Sequence, residues 1–183
     1  MRRPNPGIIL GTSAFVILFA LATAPARADD MFLQLGDVVG DATAGGYEKW
    51  IEVLSWSWGS SNPTTVGAGT GLSAGKVSVA DLSLMKVADS ATPRLMDAVA
   101  KGVHFPTAAL AIRRSSDRFE YMRIRLEEVM VSSDQLSAGG ERPAESISLS
   151  FARYVVDYTP GPGKQTVSFG WDIPKNAPFG KAL

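Results

Sequence analysis

The chain contains no cysteine. That excludes disulfides, thiolate metal sites and a cysteine nucleophile. It has a single histidine, His104, so no histidine-rich metal site can be built, and a serine nucleophile would have only one imidazole to serve as its base. No Gly-x-Ser-x-Gly elbow is present to hold such a serine. Neither sign of charge is in excess, since 18 Lys and Arg balance 18 Asp and Glu. A nucleic-acid binder needs a basic excess or stripe, so no nucleic-acid partner is expected. There is no repeat with a period of about 20–50 residues, which excludes solenoids and propellers.

The first thirty residues stand apart. Arg2 and Arg3 form a short positive segment, Ile8 to Ala24 is an apolar run broken only by small residues, and Ala26-Arg27-Ala28 fits a small-x-small cleavage site. Residues 1–28 read as a secretory signal peptide, with Asp29 as the mature N-terminus and no membrane anchoring after cleavage. Two other readings stay open: an uncleaved N-terminal anchor, and translation that begins at Met31. The Arg2-Arg3 pair is a weak sign of twin-arginine export, because any such leader needs a positive start.

The remaining chain, about 150 residues, is long enough to bury roughly 68–70% of the surface of its unfolded form without staples. It reads as strands separated by turns. Met31 to Val39 closes on the turn pair Gly40-Asp41. A β-prone run starts at Tyr47, and Ser55-Trp56-Ser57-Trp58 alternates so that both tryptophans share a face. Residues 60–75, rich in glycine, read as a long loop. Lys76 to Val87 reads as one long strand with a bulge between Val79 and Leu82. Thr92-Pro93 reads as an N-cap followed by proline at the first helical position, and Leu95, Met96, Val99 and Val103 continue at helical spacing to Gly102. Strands resume at Thr107. Met122, Ile124 and Leu126 oppose Tyr121, Arg123, Arg125 and Glu127, and the phase then switches at Val129 and Val131, predicting a bulge. Ile147, Leu149 and Phe151 alternate with serines until a second shift near Ala152-Arg153. Lys164 to Ile173 is the last strand, and residues 174–183 are expected to be a mobile tail. The expectation is an all-β barrel domain over residues 29–173 with one short helix.

Motifs that could carry chemistry do not complete themselves. Gly67-Ala68-Gly69-Thr70-Gly71 resembles a phosphate loop, but Gly71 is too near Gly75-Lys76, Val77 replaces the magnesium-binding hydroxyl, and a strand follows where a helix is required. Glu127 and Glu128 are adjacent in a strand and are expected on opposite faces, so they cannot act as a glycosidase pair. Arg123, Arg125 and Glu127 form a charged stripe suited to a solvated face, a polar interior or an intersubunit surface. Trp50, Trp56 and Trp58 form the densest aromatic cluster, suited to core packing or to a carbohydrate platform. No catalytic, cofactor-binding or metal-binding residue is expected, and no enzyme activity.

The order of segments resembles the Hcp family, the tube proteins of bacterial type VI secretion systems. Residues 31–40 (MFLQLGDVVG) are similar to the family's opening strand and turn, and residues 50–59 (WIEVLSWSWG) to its most recognisable stretch. Gly75-Lys76-Val77 with Asp81-Leu82-Ser83-Leu84, then Thr92-Pro93-Arg94-Leu95-Met96, then Gly102-Val103-His104-Phe105-Pro106 follow in the family's order. Glu128 to Ser133, Val156-Asp157-Tyr158 and Gly170-Trp171-Asp172 complete it. The resemblance implies a β-barrel of two sheets with one flanking helix, and a homo-hexameric ring. It further implies stacking of rings into a tube inside a contractile sheath, a VgrG-type spike as cap, and effector proteins carried in the channel. It also implies that residues 60–75 reach an adjacent ring or subunit. A leader departs from the family's pattern, since the tube is assembled in the cytoplasm and then secreted. The protein is therefore expected to be periplasmic if the leader is genuine, and cytoplasmic before firing if translation starts near Met31. The alternative function is an exported, non-catalytic β-barrel binding module that uses the tryptophans. A third is a hydrolase dependent on His104.

Overall fold

The computed structural model describes residues 29–67 and 71–180. The expected leader, residues 1–28, lies outside them, as do residues 68–70 of the glycine run and the last three residues. In chain order the elements are β1 (Asp30–Leu35), β2 (Ile51–Val53), β3 (Ser55–Ser57), β4 (Ser60–Ser61), β5 (Thr64–Gly67), β6 (Gly71–Ala74), β7 (Ser78–Val79) and β8 (Leu82–Val87). Helix α1 (Thr92–Lys101) follows, then β9 (His104–Arg113), β10 (Glu120–Ser137), β11 (Ala144–Tyr158), β12 (Val167–Asp172) and β13 (Ala177–Pro178).

The hydrogen-bonded path runs β13-β12-β11-β10-β9-β1-β2, and β8 joins it by pairing with both β11 and β3. β2 and β3 are separated only by Leu54, whose N–H donates to the Met85 carbonyl at 2.7 Å. The path β1, β2/β3, β8, β11, β10, β9 therefore returns to β1 and closes a barrel. Closure leaves few free edges. β10 and β11, with 18 and 15 residues, are long enough to serve two sets of neighbours. β11 pairs with β8 through its first half and with β12 through its second.

The core follows the alternation in the sequence. Leu33, Leu35, Ile51, Leu82, Leu84, Leu110, Ile124, Leu126, Ile147 and Leu149 point inward and are buried, and α1 adds Leu95 and Ala98. Met96 and Val99, also at helical spacing, face outward. β1 is covered on both sides, because Phe32 stacks on Tyr47 of the following loop at 4.6 Å.

Several expectations change in detail. Residues 60–75 are not an open loop: β5 and β6 form an antiparallel hairpin, and β4 pairs with β7 at its base. The phase flip between Val79 and Leu82 is a break between β7 and β8, not a bulge in one strand. The N-cap of α1 is Ala91 rather than Thr92, and no side chain caps it. Thr92 is instead the first helical residue, and its Oγ1 accepts from Asp89 N–H at 3.1 Å. Gly102 ends the helix in the left-handed conformation as expected. The chain beyond Ile173 folds back, with β13 pairing to Trp171 and Asp172 of β12. Gly170 makes room for it, since a Cβ there would lie 2.1 Å from the Phe179 carbonyl.

The phase switches share one cause. Inward pairs Phe105/Ala108 on β9, Leu126/Val129 on β10 and Phe151/Tyr154 on β11 are each three residues apart, and they lie opposite one another in register. Two consecutive residues on each strand point out at this level, so the wall turns a corner without losing register. Glu128 makes the turn on β10 with φ 54. The bulge predicted there is thus a coordinated corner; the register shift on β10 against β11 comes later, between Val131 and Ser133.

Candidate functional site

His104 is exposed at the first position of β9. Among the described residues no group of three or more His, Asp or Glu side chains is placed to hold a metal ion. The three tryptophans divide between two regions. Trp56 and Trp58 pack against the main core, with Trp58 edge-on to Tyr154 at 4.7 Å and its Nε1 donating to the Ala80 carbonyl. Trp50 sits on the outer cluster against Tyr47. They do not form one aromatic row.

The charged stripe is surface-facing and internally paired. Arg125 meets Asp157 at 2.8 Å, Arg123 meets Glu120 at 2.6 Å, and Arg153 meets Glu127 at 2.8 Å. Glu127 and Glu128 are on the same side, contrary to expectation, because the left-handed backbone at Glu128 turns its side chain outward; both reach Arg153. With that arginine between them they form an ion-pair cluster. At the start of β1, Asp30 pairs with Arg113 at 3.0 Å and accepts from Ser115. Tyr121 donates to Asp29 at 2.7 Å. Burial, then that carboxylate, push the Tyr121 hydroxyl up to about 12.

One polar cluster was not anticipated. Lys86 and Glu145 are fully buried, directly opposite across β8 and β11, with Nζ to Oε2 at 2.6 Å. Lys86 also reaches Asp89 at 2.7 Å, and Thr92 donates its hydroxyl to Glu145. Asp134 completes this plug at one end of the barrel. A signal was present in the sequence: Lys86 continues the inward phase of Leu82 and Leu84, and Glu145 that of Ile147 and Leu149.

Among the described residues, apolar side chains are exposed at Val39, at Leu136 and on the outer face of α1, and two further patches stand out. One lies on the outer strand β12, with Val167 and Phe169 at 47% and 46% exposure, beside the equally exposed Tyr158. Phe169, Trp171 and Tyr154 line a groove there with Asn62 and Val77, at the foot of the hairpin. The other surrounds Leu54, at 58% exposure, with Met85. Among the described residues no helix is long and apolar enough to cross a membrane.

Comparison with known proteins accounts for this arrangement of barrel, single helix and hairpin. The family model described as type VI secretion system effector, Hcp, matches residues 32–158. Protein hcp1 of Pseudomonas aeruginosa is 41% identical over 160 residues, which is 80% of this chain and 96% of that protein. A solved type six secretion system protein superposes with a TM-score of 0.78 at 31% identity, covering 83% of this chain and all of the other. Hcp1 from Salmonella typhimurium does so with a TM-score of 0.73 at 29% identity, covering 84% and 100%. The chain belongs to the Hcp family, the tube proteins of type VI secretion.

Proposed function

We propose that six copies of this barrel close into a ring, that rings stack into the secretion tube, and that the protein itself is non-catalytic and secreted with the tube. The reading is carried by the 41% identity to hcp1 across 96% of that relative. Two features support it. The patches at Phe169 and Leu54 differ from each other, as a closed ring of identical subunits requires, whereas a two-fold dimer needs one self-complementary patch. The β5–β6 hairpin stands off the barrel with its own two-stranded pairing and is suited to reach the next ring. Sheath, VgrG-type spike and effectors are the partners in this reading. In this reading the mature chain starts at Asp29, and the bonds of Asp30 to Arg113 and of Tyr121 to Asp29 support that over a start at Met31.

Light scattering on the purified protein, with negative-stain imaging and intact mass on the same fraction, tests this. The expected result is a mass of about six subunits, rings with a central hole, and a chain that begins at Asp29. A monomer at every concentration would overturn the ring, and a chain beginning at Met31 would overturn cleavage.

A further inference from the structure

Within the polar plug, three buried carboxylate oxygens have no hydrogen-bond donor: both oxygens of Asp134 and Oε1 of Glu145. Asp134 on β10 lies opposite Ile147, and Glu145 on β11 lies opposite Leu136. The two acids are therefore diagonal neighbours on the inward face. Each element around them adds a group: Lys86 from β8, Asp89 from the turn before α1, and Thr92 from α1. Lys86 is committed to Asp89 and to Oε2 of Glu145, so the ammonium serves two carboxylates and makes no bond to Asp134. The outer charges are engaged elsewhere. Arg142 donates to the Ala88 carbonyl, Asp41 accepts from Ser90 N–H, and Arg94 and Lys101 both pair with Asp97 at the surface.

Two adjacent buried carboxylates cannot both ionise cheaply. A single proton between them makes Asp134 a donor and supplies the bond that Glu145 Oε1 lacks. We propose that Asp134 and Glu145 share one proton, and that this proton latches β10 to β11 near the free end of their hairpin, beside the contacts of Glu145 with Lys86 and Thr92 that hold that end to β8 and α1. Burial, then the Glu145 charge, raise the Asp134 carboxyl from 3.8 to about 6. A carboxyl raised on folding binds its proton more tightly in the folded state. Its contribution to stability is complete below the unfolded value near 3.8 and is lost as pH rises through about 6. The latch is therefore an acid-strengthened device.

The test compares the full-length protein with Asp134→Asn by urea unfolding at several pH values, which cancels the pH effects that the two proteins share. The ratio of wild-type to variant folding constants is expected to fall by roughly thirtyfold between pH 4 and pH 6 and to level above about pH 7. Hydrogen exchange at residues 136–144, corrected for the chemical rate, should speed up across that window in the wild type and not in the variant. A ratio that stays constant, or exchange that changes equally in both, overturns the latch. Should Asp134→Asn fail to fold, carboxyl carbon NMR of the wild type decides. An aspartate midpoint near 6 supports the shared proton, and midpoints all below roughly 4.5, the ordinary aspartate range, refute it.

Discussion

Lys86 is the residue on which the closed end of the barrel depends, because among the described residues it is the one cation paired with the buried carboxylates Asp89 and Glu145. Replacing a buried ion pair whole can be harmless, but removing one partner strands the other. Lys86→Met keeps the length and apolar stem and deletes the charge. It should cost about 3–5 kcal/mol, read as a fall in urea midpoint with an unchanged m-value. A loss under roughly 1 kcal/mol, the range of an exposed pair, would show that the pair is solvated. The inward phase of both residues was visible in the sequence. Their pairing was not, because β8 and β11 are 59 residues apart at this point and period alone does not say which strands are neighbours. Glu128 was hidden for a different reason: a left-handed residue within a strand leaves no mark in composition, so the direction of its side chain could only be seen in the backbone.

At the scale of elements, strands with clean alternation were the most legible. β10 and β11 appear where the alternations of Met122, Ile124 and Leu126 and of Ile147, Leu149 and Phe151 predicted strands, because one face of each is buried and period two records it. Short elements were not legible. β4 to β7 have two to four residues each, too few for a period, and their glycines mimic a loop. The cap of α1 was misplaced by one residue because Thr92 uses its hydroxyl on the plug and on Asp89 rather than on the helix end. The return of the chain at β13 rests on Gly170, where any Cβ would strike the Phe179 carbonyl. Gly170→Ala should therefore displace β13 and cost roughly 1–3 kcal/mol. Limited proteolysis should then cut C-terminal to Ile173 faster than in the wild type while the barrel stays intact; an unchanged digestion rate would mean that β13 is not held there.

At the scale of the molecule, a ring built from two unlike patches makes a prediction that a symmetric dimer does not. Phe169→Asp spoils one patch and Leu54→Asp the other, and each variant alone should sediment as a monomer. Mixed, they retain one good interface per pair and should form dimers that cannot grow; larger species in the mixture would refute a head-to-tail ring. The all-β class and single helix were legible from the outset, as was the family, because its motifs recur in order. The closure of the barrel was not, since it depends on β2 and β3 parting company at Leu54. The corner across β9, β10 and β11 has a consequence of its own. Each strand skips the same step at the same height, so spacing there is common property of three segments far apart in the chain. Dropping one residue at Glu127–Glu128 would carry Val129 and Val131 out of register with Phe105 and Phe151. Length change at that level is tolerable only as a concerted set, which makes it a point where the barrel resists insertion and deletion more than it resists substitution.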